Sequence, residues 1–276
     1  MSLLLHISDT HFGTERPHVV AALQELVRQR GPSLVVLSGD ITQRARRYQF
    51  DAACAFLQGL SLPLLAIPGN HDIPLFNLVA RGFAPYANYT RVFGRDLEPE
   101  HESPSLLILC LNTTRPSRHT DGEISGAQIE RVATRLRAAS PEQLRVVVTH
   151  QPVHVIRPSD VQNLVHGHQA AVRAWSAAGA DLVLGGHIHL PYVRPLSDAF
   201  PDLPRELWAV QAGTAVSERV RGGISNSINL IHHHTDAPEL CTVERWDYDD
   251  GKAAFAHFES QNLRLDRKVV NRELCL

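Results

Sequence analysis

Short polar clusters of aspartate, asparagine and histidine recur along this chain, each at the end of a short apolar run. The first is Ser8-Asp9-Thr10-His11, the second Ser38-Gly39-Asp40 and the third Pro68-Gly69-Asn70-His71-Asp72. Asn112, Thr149-His150 and Gly185-Gly186-His187-Ile188-His189 close three later runs. Carboxylate, carboxamide and imidazole donors without any thiolate are a ligand set that Mn, Fe or Zn accepts. Histidine is also the side chain that carries protons near neutral pH. Glycines beside most of the clusters let the backbone approach closely. The strand ends deliver two Asp, one Asn and four or five His, and some seven donors are too many for one tetrahedral ion. They suit two ions that share a bridging carboxylate, ~3.5–4 Å apart as in two-metal hydrolytic sites. Any one cluster alone reads as well as a turn; their joint occurrence, in one order after separate apolar runs, points to a metal centre.

Such groups need a scaffold that delivers them to one place. Apolar runs bounded by turn signals at 3–7, 33–38, 62–67, 106–111, 145–149 and 181–184 predict buried strands of an α/β sheet. Amphipathic stretches at 18–30, 48–60, 128–139 and 170–178 predict helices between them. The first carries Val19, Leu23, Leu26 and Val27 at helical spacing and stops at Gly31-Pro32. In an open α/β sheet, ligands bind beyond the carboxyl ends of the strands, so the six strand ends are expected at one edge. From about residue 207 the texture changes. Runs at 207–211, 227–232, 240–246 and 253–258 predict strands without helices between them, the last two joined by Tyr248-Asp249-Asp250-Gly251. The expectation is a single domain over 1–276, in which the strand-rich 207–260 region completes a second, mostly antiparallel sheet.

Composition narrows the function. With 276 residues, 43% of them hydrophobic, the chain can bury a substantial core. Its 27 basic and 29 acidic side chains give a net charge of −2, which argues against long nucleic acids held by clustered positive charge. A small-molecule partner is expected instead, and two cations would supply the positive field. The chain holds 16 histidines but only Lys252 and Lys268 as lysines, so placement after strands matters more than the histidine count. Cys54, Cys110, Cys241 and Cys275 form no C-x-x-C pair, so neither a disulfide framework nor a zinc knuckle is indicated. The start lacks a basic n-region and a cleavage site, and no run approaches eighteen apolar residues. The expectation is a cytoplasmic protein without an integral membrane segment; oligomeric state is left open.

Asp9-x-His11, Gly39-Asp40, Gly69-Asn70-His71-Asp72, His150 and Gly186-His187-x-His189 together resemble the five-block signature of the calcineurin-like metallophosphoesterases, across residues 9–189. The resemblance implies a four-layer αββα sandwich, two mixed sheets flanked by helices, and two divalent metal ions (Mn, Fe or Zn). It implies that Asp9, His11, Asp40 and His189 hold the first ion. Asp40, Asn70, His150 and His187 would hold the second, with Asp40 bridging. The implied reaction is attack on phosphorus by hydroxide held between the cations, since coordination lowers the pKa of water from about 15.7 toward 7. His71, a non-ligand, would protonate the departing alkoxide, with Asp72 orienting its imidazole.

Gly39-Asp40-Ile41-Thr42-Gln43-Arg44 lacks the Asp-x-x-Asp-Arg-Gly continuation of the Ser/Thr protein phosphatases. Ser8-Asp9-Thr10-His11-Phe12, Gln49-Phe50, Ile67-Pro68-Gly69-Asn70-His71-Asp72 and Gly213-Thr214-Ala215 with Arg219, Arg221 and Asn226 are most similar to class III cyclic nucleotide phosphodiesterases of the bacterial cyclic-AMP type. That resemblance implies a phosphodiesterase acting on 3′,5′-cyclic AMP or a related cyclic nucleotide. Asn70, His71, Arg219 and Arg221 are its candidate substrate contacts, arginine being the usual fork for phosphate oxygens. A glycerophosphodiesterase shares this layout. A UDP-diacylglucosamine-type pyrophosphohydrolase is a further alternative, and it predicts an apolar groove over 75–89 with Phe76, Leu78, Phe83 and Tyr86. A non-catalytic scaffold is disfavoured by the intact donor set. Asn112 reads equally as a turn residue or as support for the site; His166-Gly167-His168 and His232-His233-His234 lack an accompanying carboxylate cluster or a common face.

Overall fold

The structure is a computed structural model that describes residues 2–267, so Cys275 lies outside the described residues. The chain opens with strand β1 (Ser2–Ile7), helix α1 (Pro17–Arg30), β2 (Leu34–Leu37), α2 (Arg47–Leu60) and β3 (Leu64–Ala66). Pro17 starts α1 at a position whose N–H has no helical partner, and Gly31 ends it in the left-handed region at φ 61°. Two short helices, α3 (Leu78–Phe83) and α4 (Ala87–Phe93), lead to β4 (Glu100–Glu102) and β5 (Leu106–Cys110). Then come α5 (Gly126–Ala138), β6 (Leu144–Val148), α6 (His168–Ala178), β7 (Leu182–Gly185), β8 (Tyr192–Pro195) and β9 (Trp208–Gln211). A meander of β10 (Ser227–His233), β11 (Leu240–Asp249) and β12 (Ala254–Arg264) follows. Ser125 caps α5 through a reciprocal box, its Oγ accepting the Gln128 N–H at 3.2 Å while Gln128 Oε1 accepts the Ser125 N–H at 2.9 Å.

These strands make two six-stranded sheets, ordered β12-β11-β10-β1-β2-β3 and β4-β5-β6-β7-β9-β8. β1, β2 and β3 run parallel, as do β5, β6, β7 and β9. Alternation along β1 explains the layers. Leu3, Leu5 and Ile7 pack with Val19, Leu23, Phe50 and Phe56 of α1 and α2, whereas Leu4 joins Val36 and Ile67 against Ile108, Val146 and Leu184 of the second sheet. The opposite face of that sheet packs on α5 and α6 around Trp175. The result is the helix–sheet–sheet–helix sandwich expected from the signature, with two mixed sheets.

The assignment of strands to sheets differs from the sequence reading. The six early runs do not share one sheet; three belong to each. Nor does the 207–260 region complete the second sheet alone. β9 extends it parallel to β7, while β10, β11 and β12 extend the first sheet from β1. Periodicity reports burial of a strand's faces but not which edge it pairs with, and β10 pairs with β1 across more than 220 residues of chain. Face-to-face stacking of the two sheets brings the carboxyl ends of β1, β2, β3, β6 and β7 together.

Candidate metal centre

The clusters after these strands leave regular structure at once. Asp9, His11, Asp40, His187 and His189 adopt left-handed backbone conformations, at φ 53°, 41°, 49°, 72° and 57°, and make five of the eight non-glycine positive-φ residues among those described. Such conformations cost on the order of 1–3 kcal/mol each, persist only where surroundings over-determine them, and cluster at functional sites. Here cross-bracing holds them. The Asp9 and His11 N–H groups donate to the Gly39 and Asp40 carbonyls, both at 3.0 Å. Asp9 Oδ2 accepts the His187 N–H at 2.9 Å, and Asp40 Oδ1 accepts the His71 N–H at 2.8 Å. Gly186 is needed for space, since a Cβ there would stand 2.5 Å from Asp9 Oδ2.

Two groups of donors result. Asp9, His11, Asp40 and His189 offer atoms within 4.8 Å of one another, as do Asp40, His150 and His187, with Asp40 common to both. His189 Nε2 lies 3.2 Å from Asp9 Oδ1, and His11 Nε2 lies 3.7 Å from both Asp9 Oδ1 and Asp40 Oδ2. His150 Nε2 is 3.3 Å from both Asp40 Oδ1 and Asn70 Oδ1, which brings Asn70 to the second group. The Nε2 atoms of His11 and His189 face each other at 3.3 Å. Donors around a cation at ~2.0–2.2 Å stand ~3–4 Å from one another, so these spacings fit a bound ion. Buried Asp9 Oδ1 and His187 Nδ1 have no hydrogen-bond partner, the condition expected of groups that a cation satisfies. The arrangement is a candidate dinuclear metal site.

Electrostatics agree. Burial would raise the Asp9 carboxyl, but the charge of His189 and the close imidazoles of His11 and His189 hold it well below the carboxylate range. Asp40 is likewise held ionised against burial by His150, His71 and His11. Burial pushes His11 and His187 down to about 4, so both are neutral donors at pH 7. At His150, burial is outweighed by Asp40, and its imidazole rises to about 9. Its Nδ1–H donates to the Ser38 carbonyl at 2.8 Å, which leaves Nε2 facing Asp40.

Asp72 does not orient His71. Its carboxylate is buried and accepts the Ile41, Thr42 and Gly69 N–H groups at 3.0, 2.8 and 2.9 Å, with the Thr42 hydroxyl at 2.9 Å. It ties the Asp40 loop to the Asn70 loop, while burial and nearby Asp40 push its carboxyl up to about 7. His71 Nδ1 instead donates to the Gln43 carbonyl at 3.0 Å, and Arg219 Nη1 lies 3.2 Å from His71 Nε2. Arg219 also lends its backbone carbonyl to His189 Nδ1, with the Thr214 hydroxyl 2.7 Å from the same nitrogen.

Arg221 lines the same cleft but is engaged: Nη2 donates to Asp160 Oδ1 at 2.8 Å and Nη1 to the Ile188 carbonyl at 3.0 Å. Asn112 is a turn residue whose Oδ1 accepts the Thr114 N–H at 3.0 Å. His166 pairs at 3.7 Å with exposed Asp121, and His232 at 3.2 Å with Glu244. Asp160 carried no signal in the sequence, because it acts through Arg221, a partner distant along the chain; Thr214 stood out only as part of the Gly213-Thr214-Ala215 segment.

The donors floor an open cleft of about 590 Å³ lined by Asp40, Asn70, His71, His187 and His189, with Arg219, Thr120, Asp160 and Asn163 on its walls. Residues 3–191 match the calcineurin-like phosphoesterase family. The chain belongs to that family. This phosphoesterase-family chain is 27% identical over 175 residues to a protein of Synechococcus named a probable cyclic nucleotide phosphodiesterase, covering 63% of this chain and 64%, less than two thirds, of that one. It is 26% identical over 263 residues to a cAMP/cGMP dual specificity phosphodiesterase of Mycobacterium tuberculosis, covering 85% of this chain and 76% of the relative. Over 83 residues, 25% of this chain and 29% of the other, it is 42% identical to the glycerophosphodiester phosphodiesterase GpdQ of Enterobacter lignolyticus. The fold superposes on a purple acid phosphatase from yellow lupin with a TM-score of 0.72 at 12% identity, covering 95% of this chain and 53% of that one. For a dimetal phosphatase from Danio rerio the TM-score is 0.66 at 14% identity, covering 96% and 99%.

Proposed function

We propose that this protein is a two-metal phosphodiesterase that hydrolyses a small phosphodiester, with 3′,5′-cyclic AMP the first substrate to try. The observation that carries the reading is Asp40, one carboxylate common to two groups of converging donors on the floor of an open cleft. Asp9, His11, Asp40 and His189 would hold one divalent ion, and Asp40, Asn70, His150 and His187 the other. When bound, the pair supplies Lewis-acid charge and a nucleophile from water at neutral pH. Mn, Fe and Zn all accept these donors.

The chain's own residues handle the rest. His71, its Nδ1–H anchored on the Gln43 carbonyl, presents Nε2 to the cleft, and a proton taken up there passes to the departing alkoxide oxygen as the ester bond to phosphorus breaks. Arg219, beside that imidazole, donates to a phosphoryl oxygen and fixes the ester against His71. Asp72 keeps the two loops in register, and Arg221 keeps the His187-Ile188-His189 turn in place. A cleft of about 590 Å³ suits a mononucleotide-sized ligand. The near-zero net charge favours a small substrate over long nucleic acid.

A second reading, a glycerophosphodiesterase, draws on the cleft wall. Apart from histidines, no aromatic ring is among the described residues that line it, and Thr120, Asp160 and Asn163 present polar groups suited to hydroxyls. The lipid-pyrophosphohydrolase alternative rests on the 75–89 segment, where Phe76, Leu78 and Phe83 are exposed and Tyr86 bonds to Thr114. The test is a substrate panel on Mn-reconstituted protein: cyclic AMP, cyclic GMP, glycerophosphodiesters, bis(p-nitrophenyl) phosphate and a monoester. Failure on every diester sinks the proposal; preference for glycerophosphodiesters over cyclic nucleotides moves it to the second reading.

A further inference from the structure

Arg44, Arg46 and Arg47 all follow Asp40 closely in the sequence, and the fold brings only Arg44 to the site. A small cavity of about 40 Å³ adjoins the cleft and shares Asn70 and His71 with it. Arg44 and His119 supply its other charged or titratable side chains, Ile73 and Leu75 its apolar lining, and no carboxylate lines it among the described residues. The backbone that carries Arg44 is fixed. The Arg44 N–H donates to Gln49 Oε1 at 2.9 Å, and the next residue, Ala45, is held in the left-handed region at φ 52° while its N–H donates to Thr42 Oγ1 at 3.0 Å. The loop that carries His119 is braced from behind, where Arg81 donates to the Pro116 and Arg118 carbonyls at 2.7 and 2.6 Å.

The Arg44 guanidinium, by contrast, meets no acceptor among the described residues. It lies over the Phe76 ring, with Cζ 5.5 Å from the centroid. Stacking occupies the face of a guanidinium and leaves its in-plane N–H donors free. The other arginines of the cleft are already engaged: Arg219 donates to Gln43 Oε1 at 3.1 Å, and Arg221 to Asp160 Oδ1 at 2.8 Å.

We propose that Arg44 binds a carboxylate carried by the alcohol that leaves, so that the preferred substrates are phosphodiesters of a short hydroxy acid. The proposal rests on the two-metal reading and on His71 as the proton donor. Because His71 serves the departing oxygen, the departing alcohol lies on the His71 side of the cleft, and the cavity is the space next to it. Size selects the group. A single water needs about 10–15 Å³, so about three non-hydrogen atoms fit, enough for a carboxylate and too few for a nucleobase. A planar carboxylate also matches the guanidinium fork through two parallel hydrogen bonds, while Ile73 and Leu75 cover the carbon spacer. In the reaction the oxygen of water bonds to phosphorus, the bond from phosphorus to the hydroxy-acid oxygen breaks, and that oxygen takes the proton from His71. The products are a phosphate monoester and the free hydroxy acid. Arg44 thereby selects which of the two ester bonds is cleaved.

The test uses Mn-reconstituted protein and two methyl phosphodiesters, one of 3-hydroxypropanoate and one of its neutral isostere 3-hydroxypropanamide. The wild type should favour the carboxylate by about tenfold to a hundredfold in kcat/KM, the worth of a hydrogen bond to a charged group. Phosphorus NMR should show methyl phosphate as the product. Arg44→Met should bring the carboxylate-to-amide ratio to about one, and Arg44→Glu should invert it. Both variants should keep the wild-type melting temperature, because the side chain is exposed. Arg47→Met removes the same charge outside the cavity and should leave the ratio intact. A wild type without the preference, release of methanol from the carboxylate diester, a preference that survives Arg44→Met, or an equal loss in Arg47→Met overturns the proposal. Cleavage of bis(p-nitrophenyl) phosphate but of neither methyl diester overturns the role of Arg44 alone. If all three diesters resist hydrolysis, the two-metal reading fails and this proposal falls with it.

Discussion

Replacing Gly69 by alanine tests whether the site depends on how closely two loops approach. A Cβ at Gly69 would lie 2.1 Å from the Asp40 nitrogen, 2.2 Å from Asp40 Oδ1 and 2.8 Å from the Asp40 Cα. Backbone cannot swing away as a side-chain tip can. Restoring ordinary contact near 3.4 Å requires the two loops to part by about 1.3 Å at the nitrogen. Asp40 is the carboxylate common to both donor groups, so the displacement enters both. Overpacking of this kind costs roughly 1–3 kcal/mol, a fall in Tm of about 2–12 °C for a chain of this size. The functional effect should be larger, because a misplacement of about 1 Å costs on the order of a hundredfold in rate. Gly69→Ala should thus remain folded, bind the second Mn ion at least tenfold more weakly by calorimetric titration, and lose about a hundredfold or more in kcat/KM on bis(p-nitrophenyl) phosphate. Gly82→Ala is the matched control: nothing lies within 4 Å of its added Cβ, so it should be neutral or stabilising by about 0.4–1 kcal/mol. A Gly69→Ala protein with wild-type metal affinity and rate would show that the approach of the two loops does not govern the site.

Three further outcomes are expected. His71→Asn should slow hydrolysis of diesters with alkoxide leaving groups by about 10²–10⁴ but affect p-nitrophenolate release far less, since that anion leaves without a proton; equal losses on both would remove the proton-donor role. Arg221→Met leaves the buried Asp160 carboxylate, 5% exposed, without its cation, at a cost of roughly 3 kcal/mol in chemical denaturation, and frees the Ile188 carbonyl between two histidine donors, weakening metal binding about 10–100-fold. Adding Asp160→Asn should recover much of the stability, and a strictly additive double mutant would contradict the pairing. His6 is buried and neutral, lowered to about 3 from 6.5 by burial. Its depressed value means that the unfolded chain binds a proton the folded one does not, so its stabilisation is complete above pH 6.5 and is lost as pH falls from there toward 3, by about 1.4 kcal/mol per unit. The stability of His6→Gln should accordingly fall less steeply between pH 6.5 and 5, by about one proton's slope; parallel curves would show that His6 is charged in the folded protein.

The donor set was legible because metal chemistry is demanding at short range. A carboxylate or imidazole directed at a cation needs a particular residue type, a strand end to carry it and often a glycine to make room, and Asp9-x-His11, Gly39-Asp40 and Gly186-His187-x-His189 each hold all of that within a few residues. Strand and helix periods were legible for the same local reason, and with them the sandwich of two sheets. The tertiary structure decided matters that depend on partners far along the chain. Which strand pairs with β1 is set by the complementary face of β10, across more than 220 residues. Asp72 proves to be a brace because Ile41 and Thr42, some thirty positions away, present their N–H groups to it. Arg221, which lines the cleft, also serves as a clamp because Asp160 stands 2.8 Å from it. Phe83 is apolar by type, yet the fold leaves it 89% exposed. Residue type limits what a side chain can do, and the neighbours that the fold brings within hydrogen-bond reach determine what it does.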